Sequence, residues 1–286
     1  MEHKHLHEEN RRSWNAGTEA HNSHKRDQAA FFRAGGSTLF PEELELLSDI
    51  AGRTLAHLQC NAGQDSLSLA SRGAVVTGVD ISDTAIEFAR RLSAESGIPA
   101  TFQRADVYDW LAATAAGAER FDIVFSSYGA IVWLSDIGAW AHGIARILKP
   151  AGRFVLVDFH PFASMFDWNW RLEQPYFGAG NPLSFEHGVG DYVALAGPAL
   201  APSGFVEGVQ NFVNPEPGHE FQWPVSEVTQ ALIDAGLELR VCREYPYSNG
   251  GKLWDDMREI EGGRMLPPET VPSLPLMYSL VLQKPA

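Results

Sequence analysis

The sequence predicts an α/β fold with a doubly wound, mostly parallel sheet, and three observations predict it. From about Arg53 to Phe159, short apolar runs alternate with amphipathic stretches of helical period. The runs are near-continuously apolar rather than alternating, as in strands covered on both faces, and such strands belong to parallel sheets. Each run also ends in small or polar residues, which places turns and candidate ligand contacts at one edge of the sheet. Right-handed crossovers between parallel strands then put helices on both faces.

The elements follow in order. Thr54–Gln59 reads as a buried strand, and Gly63 to about Arg72 as a helix. Ala74–Asp80 is the second strand, with Ser82 as N-cap of a helix that runs to about Ser96 and turns Ile86, Ala89 and Leu92 to the core. Thr101–Ala105 is the third strand, and a helix starts near Val107. Phe121–Ser126 is the fourth, followed by a helix over Asp136–Leu148 that Lys149-Pro150-Ala151-Gly152 stops, and Arg153–Phe159 is the fifth. Regular structure resumes with a helix over Pro224–Ala235 and strands over Glu238–Arg243 and Leu276–Gln283. The stretch 245–275 is expected to be a long connection with a short helix around Trp254–Ile260, and Glu8–Phe32 a helix broken around Gly17.

This divides the chain into an N-terminal helical lid (1–40), a core (41–159), an aromatic-rich insertion after the fifth strand (160–222) and a C-terminal completion of the core sheet (223–286). The insertion holds Phe162, Phe166, Trp168, Trp170, Tyr176 and Phe177 within a few turns of chain, too aromatic for a disordered linker and suited to an apolar pocket for a small organic ligand.

Composition excludes several function classes. Thirty-six acidic residues against 22 basic ones give a formal charge of −14, which repels phosphate backbones, so no nucleic-acid partner is expected. No apolar run is long enough to cross a bilayer and the N-terminus lacks the apolar stretch of a signal peptide, so no membrane partner and a cytoplasmic location are expected. The two cysteines, Cys60 and Cys242, are too few for a disulfide framework, and no metal-ligating cluster is spaced along the chain. His3, His5 and His7 fall at an end expected to fray. The chain is expected to act as a monomer or homodimer.

Three features sit at successive strand ends. The turn Gln59-Cys60-Asn61-Ala62-Gly63 lets a ligand approach the backbone; Asp80 can accept hydrogen bonds from both hydroxyls of a ribose; Asp106 can accept from an amino group while Val107 lies on a purine ring. Together they resemble the class I (Rossmann-like) S-adenosylmethionine (SAM)-dependent methyltransferases. HLQCNAGQD (57–65) resembles the family's glycine-rich first motif, GVDIS (78–82) its acidic second, ADVYDW (105–110) its third, FDIVFSSYGAI (121–131) its fourth, and LKPAGRFVLVD (148–158) its strand-five entry.

The resemblance implies a seven-stranded sheet with an antiparallel last strand and SAM as cofactor. It also implies cofactor contacts at Trp14, Gln59, Cys60, Asn61, Gly63, Asp80, Ile81, Asp106, Val107 and the backbone at Ser126. The chain departs from the family at His57, where an acid is usual, and at Gln59 and Asn61, where glycines are usual; these side chains would reach the methionine end of the pocket. The expected activity is in-line methyl transfer to a small-molecule acceptor, with His160 as base or substrate contact and Tyr128 facing the acceptor. His187 and His219 stand behind His160 as candidates. Two alternatives stay open: non-methylating chemistry on SAM, such as a cyclisation that releases methylthioadenosine, and a non-catalytic SAM-binding module.

Overall fold

The computed structural model describes residues 3–286. The central sheet has seven strands: β1 (Thr54–Leu58), β2 (Val75–Asp80), β3 (Thr101–Arg104), β4 (Phe121–Ser127), β5 (Leu148–Phe159), β6 (Glu238–Tyr245) and β7 (Met277–Gln283). They lie in the order β3-β2-β1-β4-β5-β7-β6, so the strand order reverses between β1 and β4. The first five pair in parallel, and β7 inserts antiparallel between β5 and β6. This is the expected sheet, antiparallel last strand included. β5 begins at Leu148 rather than Arg153, because the Lys149–Gly152 segment continues along β4 through an irregular register.

Helices cover both faces. Helix α1 (Lys4–Ser23) reaches from α5 (Asp83–Ser96) to Asp106 at the carboxyl edge of the sheet, while α2 (Gln28–Arg33), α3 (Pro41–Leu47), α4 (Gln64–Ser71) and α5 lie on one side. There, Leu46, Leu55, Leu69, Ile123 and Val155 form one apolar cluster, and Phe32, Ile86, Ala89 and Phe102 another. Helices α6 (Val107–Ala116), α7 (Ile137–Ile147) and, after the five-residue α8 (Tyr192–Ala196), α9 (Val225–Asp234) cover the other face around Trp140, Phe154, Leu156 and Leu280. Each fully buried aliphatic side chain of this kind contributes about 1.5–3 kcal/mol. The near-continuous apolar strands of the sequence are thus explained by burial on both faces. Side-chain caps at Ser82, Asp106 and Asp136 start three of the helices.

Two local expectations are corrected. α1 runs unbroken through Gly17, which is buried; a Cβ there would come within 2.8 Å of Val189 Cγ1. The glycine serves a close approach to the insertion, not a break. The segment around Trp254–Ile260 is not helical: Arg258–Ile260 pairs with Arg264–Leu266, which pairs in turn with Ser248–Asn249. Gly262 and Gly263, both with positive φ, close that hairpin, a turn signal that outweighs the short apolar run before it.

The insertion is organised as a ribbon, Pro182–Phe185 against Gly218–Phe221, followed through a loop by α9. It is fastened to α1 along its length. Asn10 exchanges hydrogen bonds with the His219 backbone at 2.7 and 2.8 Å, and Ser13 Oγ accepts from Val189 N at 2.8 Å. Among the described residues, no helix is long and apolar enough to cross a membrane.

Candidate active site at the carboxyl ends of the strands

The carboxyl ends of β1 to β5 open on one cavity of about 1010 Å³. This lies at the upper end of the range for a single drug-sized ligand, so it has room for a cofactor and an acceptor together. Its walls come from the strand ends, from α1 and from the insertion.

The turn after β1 has an unusual backbone. Gln59, Asn61 and Gly63 all have positive φ, at 52°, 49° and 78°. A left-handed conformation costs a side-chain-bearing residue about 1–2 kcal/mol. Both non-glycine residues hold theirs with hydrogen bonds. Gln59 Nε2 donates to Ala130 O at 2.7 Å, and Asn61 Oδ1 accepts from Ala62 N at 2.6 Å. Asn61 Nδ2 donates to Tyr192 Oη at 3.2 Å, which ties the turn to the insertion. Gln59 Oε1 is buried and has no partner among the described residues. Gly63 does not line the cavity; a Cβ there would meet Ala89 and Phe102 at 2.7–2.8 Å. Its expected cofactor contact is therefore corrected to a packing role that seats α4 against α5 and β3.

Below the turn, His57 is buried against Ser66 Oγ at 2.8 Å, and burial pushes its ring down to about 3, so it stays neutral. Cys60 lines the cavity as a neutral thiol, because burial raises its pKa well above the usual range.

Asp80 lines the cavity at the end of β2, where its two oxygens accept the Asn61 and Ser82 amides, each at 2.8 Å. Burial raises its pKa, and the amides of Ser82, Asn61 and Ile81 oppose the rise. Asp106 also lines the cavity, as do Val107 beside it and Ile81 beside Asp80. Its Oδ1 accepts Tyr108 N at 2.9 Å, and the His7 ring bridges its Oδ2 to Ser135 Oγ at 2.7 Å on each side. Burial alone would raise the Asp106 carboxyl, but the His7 contact and the Tyr108 amide hold it below the usual value. His7 is thus buried and ordered, contrary to a fraying end. Trp14 on α1 faces the same cavity, edge-on to Trp133 at 5.4 Å and to Tyr192 at 6.4 Å.

At the other strand ends, Asp158 is buried and accepts amides of the turn after β4, including Ile131 N at 3.0 Å. Burial pushes it up to about 6 against those amides. It fixes the path of Tyr128–Ile131, which lines the cavity. Among the described residues, no group of three or more His, Cys, Asp or Glu side chains is arranged to hold a metal ion.

The strand order, a carboxylate at the end of β2 and the tight turn after β1 meet in one site, and comparison with known proteins places that arrangement. Residues 56–152 match the family described as "Methyltransferase domain". This stretch, about a third of the chain, is similar to methyltransferase domains.

Among its relatives, the S-adenosyl-L-methionine-dependent Diels-Alderase iccD of Talaromyces variabilis is 32% identical over 163 residues, 55% of this chain and 54% of that one. The ubiquinone biosynthesis O-methyltransferase of Marinobacter nauticus is 25% identical over 214 residues, 74% of this chain and 75% of that one. The chain spans 54%, 63% and 46% of the length of three curated relatives it matches at 30–32% identity. In fold, an S-adenosylmethionine dependent methyltransferase from Mesorhizobium loti superposes with a TM-score of 0.54 at 18% identity, covering 87% of this chain and 99% of that one.

At this site several sequence expectations change. Ser126 is fully buried and does not line the cavity, which Ser127 and Tyr128 reach instead. His160 lines it, but both ring nitrogens are engaged: Phe162 N donates to Nδ1 at 3.1 Å, and Nε2 meets Glu244 Oε1 at 3.1 Å. With its lone pair occupied and its pKa lowered by burial against the pull of Glu244, His160 is a wall residue rather than a free base. The Tyr128 hydroxyl accepts from Asn249 Nδ2 at 2.9 Å, and burial beside Glu43 keeps the phenol neutral. His187 is exposed, and His219 is spent on Ser184 and Glu9.

Of two further lining residues, the sequence places Lys25 only within the lid segment and does not flag Glu220. Lys25, between α1 and α2, has its pKa lowered by burial to about 8 and faces the Asp65 carboxyl. Glu220 lines the insertion side of the cavity, and burial pushes it up to about 7. A strand-like alternation in GHEF (218–221) could have flagged it, but four residues carry too weak a period.

The sign of the Glu220 effect is testable. Between its ordinary pKa of 4.5 and about 7 the folded chain keeps a proton that the unfolded chain has lost, so stability falls as pH rises through that window. Glu220→Gln removes the ionisation. Thermal melts should find this variant more stable than wild type at pH 8, with the gap closing by pH 5; a gap independent of pH would contradict the assignment.

Proposed function

We propose that the chain is a SAM-dependent methyltransferase acting on a small-molecule acceptor. The observation that carries the reading is the Asp80 carboxylate at the β2 end, facing a cavity with volume for two ligands in a core similar to methyltransferase domains. Bound SAM supplies a methyl group activated on a sulfonium. The chain's own residues bind and orient. Asp80 would take the ribose hydroxyls, and Ile81, Asp106 and Val107 the adenine. Gln59 and Lys25 would take the methionine end: the orphaned Gln59 Oε1 is an acceptor in search of a donor such as an ammonium, and the Lys25 amine suits a carboxylate. Trp14 and the rest of α1 would act as a lid, and the aromatic insertion would exclude water and align the acceptor for in-line attack.

Incubation with SAM and candidate acceptors, read by mass spectrometry, tests this. S-adenosylhomocysteine together with a methylated acceptor is the expected result. Tight SAM binding with neither product under any acceptor would point to a binding module and overturn the assignment.

A second reading is favoured by one relative, whose name describes a SAM-dependent Diels-Alderase. In it, SAM is bound in the same site but its methyl group is not transferred. An acceptor converted without formation of S-adenosylhomocysteine, or release of methylthioadenosine, would support that reading.

A further inference from the structure

Glu220 is a carboxylate in search of a cation. It sits on the ribbon strand Gly218–Phe221, where successive side chains alternate faces. His219 and Phe221 turn to α1: the His219 ring meets Glu9 at 2.6 Å, and Phe221 is buried beside the His3 ring. Glu220 takes the opposite face, toward the cavity, and has no hydrogen-bond or ion-pair partner among the described residues. Position 218 shares that face, and a Cβ on Gly218 would lie 3.9 Å from the Trp133 ring. Gly188 packs closest to that position, and Trp133, Phe185 and Trp223 line the same cavity as Glu220.

Glu220 is half-buried, and the partial loss of solvent around a carboxylate with no partner pushes its pKa up. A ligand that brings a positive charge offsets that loss, gains a charge-assisted hydrogen bond and lays the cation against an indole face. The lining as a whole favours a cation too. Asp65, Asp158, Asp167, Glu173 and Glu259 join Glu220, Asp80 and Asp106 in it, against Lys25 and Lys252 as its lysines.

We propose that the acceptor side of the cavity recognises a small amine with an apolar or aromatic body, its ammonium held between the Glu220 carboxylate and the Trp133 ring. This rests on the reading of the cavity as a joint site for cofactor and acceptor.

The test uses the full chain saturated with S-adenosylhomocysteine and three probes of one shape, 2-phenylethylamine, 2-phenylethanol and phenylacetate, titrated by calorimetry. The amine should bind at least about tenfold tighter than the alcohol, and the carboxylate weakest of all. Glu220→Gln should erase the preference for the amine while affinity for S-adenosylhomocysteine stays unchanged. Trp133→Leu, a second variant in case the first folds poorly, should weaken the amine more than the alcohol. Equal binding of amine and alcohol by wild type, no binding of the amine, or a preference that survives in Glu220→Gln overturns the proposal. Failure of S-adenosylhomocysteine to bind would instead strike at the cofactor reading, and the amine preference is then read on the free protein.

Discussion

Asp80→Ala is expected to weaken S-adenosylhomocysteine binding by at least about tenfold, because a hydrogen bond to a charged group is worth roughly 1.5–3 kcal/mol and 1.4 kcal/mol is a factor of ten. Two ribose hydroxyls can share the carboxylate, so the loss could reach about a hundredfold or more. The substitution has a second consequence. Asp80 accepts the amides of Asn61 and Ser82, and alanine leaves both without an acceptor. Each orphaned amide costs about 1–3 kcal/mol of fold stability. Asp80→Asn separates the two effects, since its carbonyl oxygen still accepts one amide. If Asp80 holds the ribose, both variants lose affinity at a temperature where melts show them folded. If it only braces the turn, Asp80→Asn binds S-adenosylhomocysteine as wild type does. Calorimetry with either result decides the role, and unchanged affinity in Asp80→Ala ends the ribose assignment.

The core was legible because its signals are local and repeated. Apolar runs such as FDIVFS and RFVLVD are buried on both faces, and Ser82 caps α5 with its side chain on Ala85 N. The carboxylates at strand ends were legible for the same reason: a short run followed by an acid needs no tertiary information. What the sequence hides is long-range. His7 reaches Asp106 across 99 residues, and His160 is occupied by Glu244 across 84. Nothing in the sequence near His160 reveals that its lone pair is taken by the Phe162 amide. Gly17 and Gly63 carry the same lesson. Each reads as a local backbone signal, and each is also required by a neighbour far along the chain, Val189 in one case and Phe102 in the other. Glu220 was missed because its meaning lies in the absence of a partner on a four-residue strand.

The first-motif turn permits a sharper separation of stability from binding, because three left-handed residues lie at alternate positions for different reasons. Gly63→Ala should be strongly destabilising. The added methyl group incurs about 1–2 kcal/mol for the left-handed backbone and about 1–3 kcal/mol for overpacking against Ala89 and Phe102. A fall in Tm on the order of 10 °C follows for a domain of this size. Because Gly63 does not line the cavity, the folded fraction should bind S-adenosylhomocysteine nearly as wild type does. Gln59→Gly should behave in the opposite way. It releases backbone strain but gives up the bond to Ala130 O and adds the unfolded-state entropy of a glycine, so the net change in stability should stay within about 1 kcal/mol. It also deletes the unpartnered Oε1 acceptor at the methionine end, and affinity should fall by about tenfold if that oxygen meets the ammonium. The two variants are thus read on two axes, thermal melts and calorimetry. A Gln59→Gly protein that binds S-adenosylhomocysteine as tightly as wild type would show that the residue is strained for the sake of the Ala130 contact alone. A Gly63→Ala protein with an unchanged Tm would mean that α4 and α5 have room the geometry denies them.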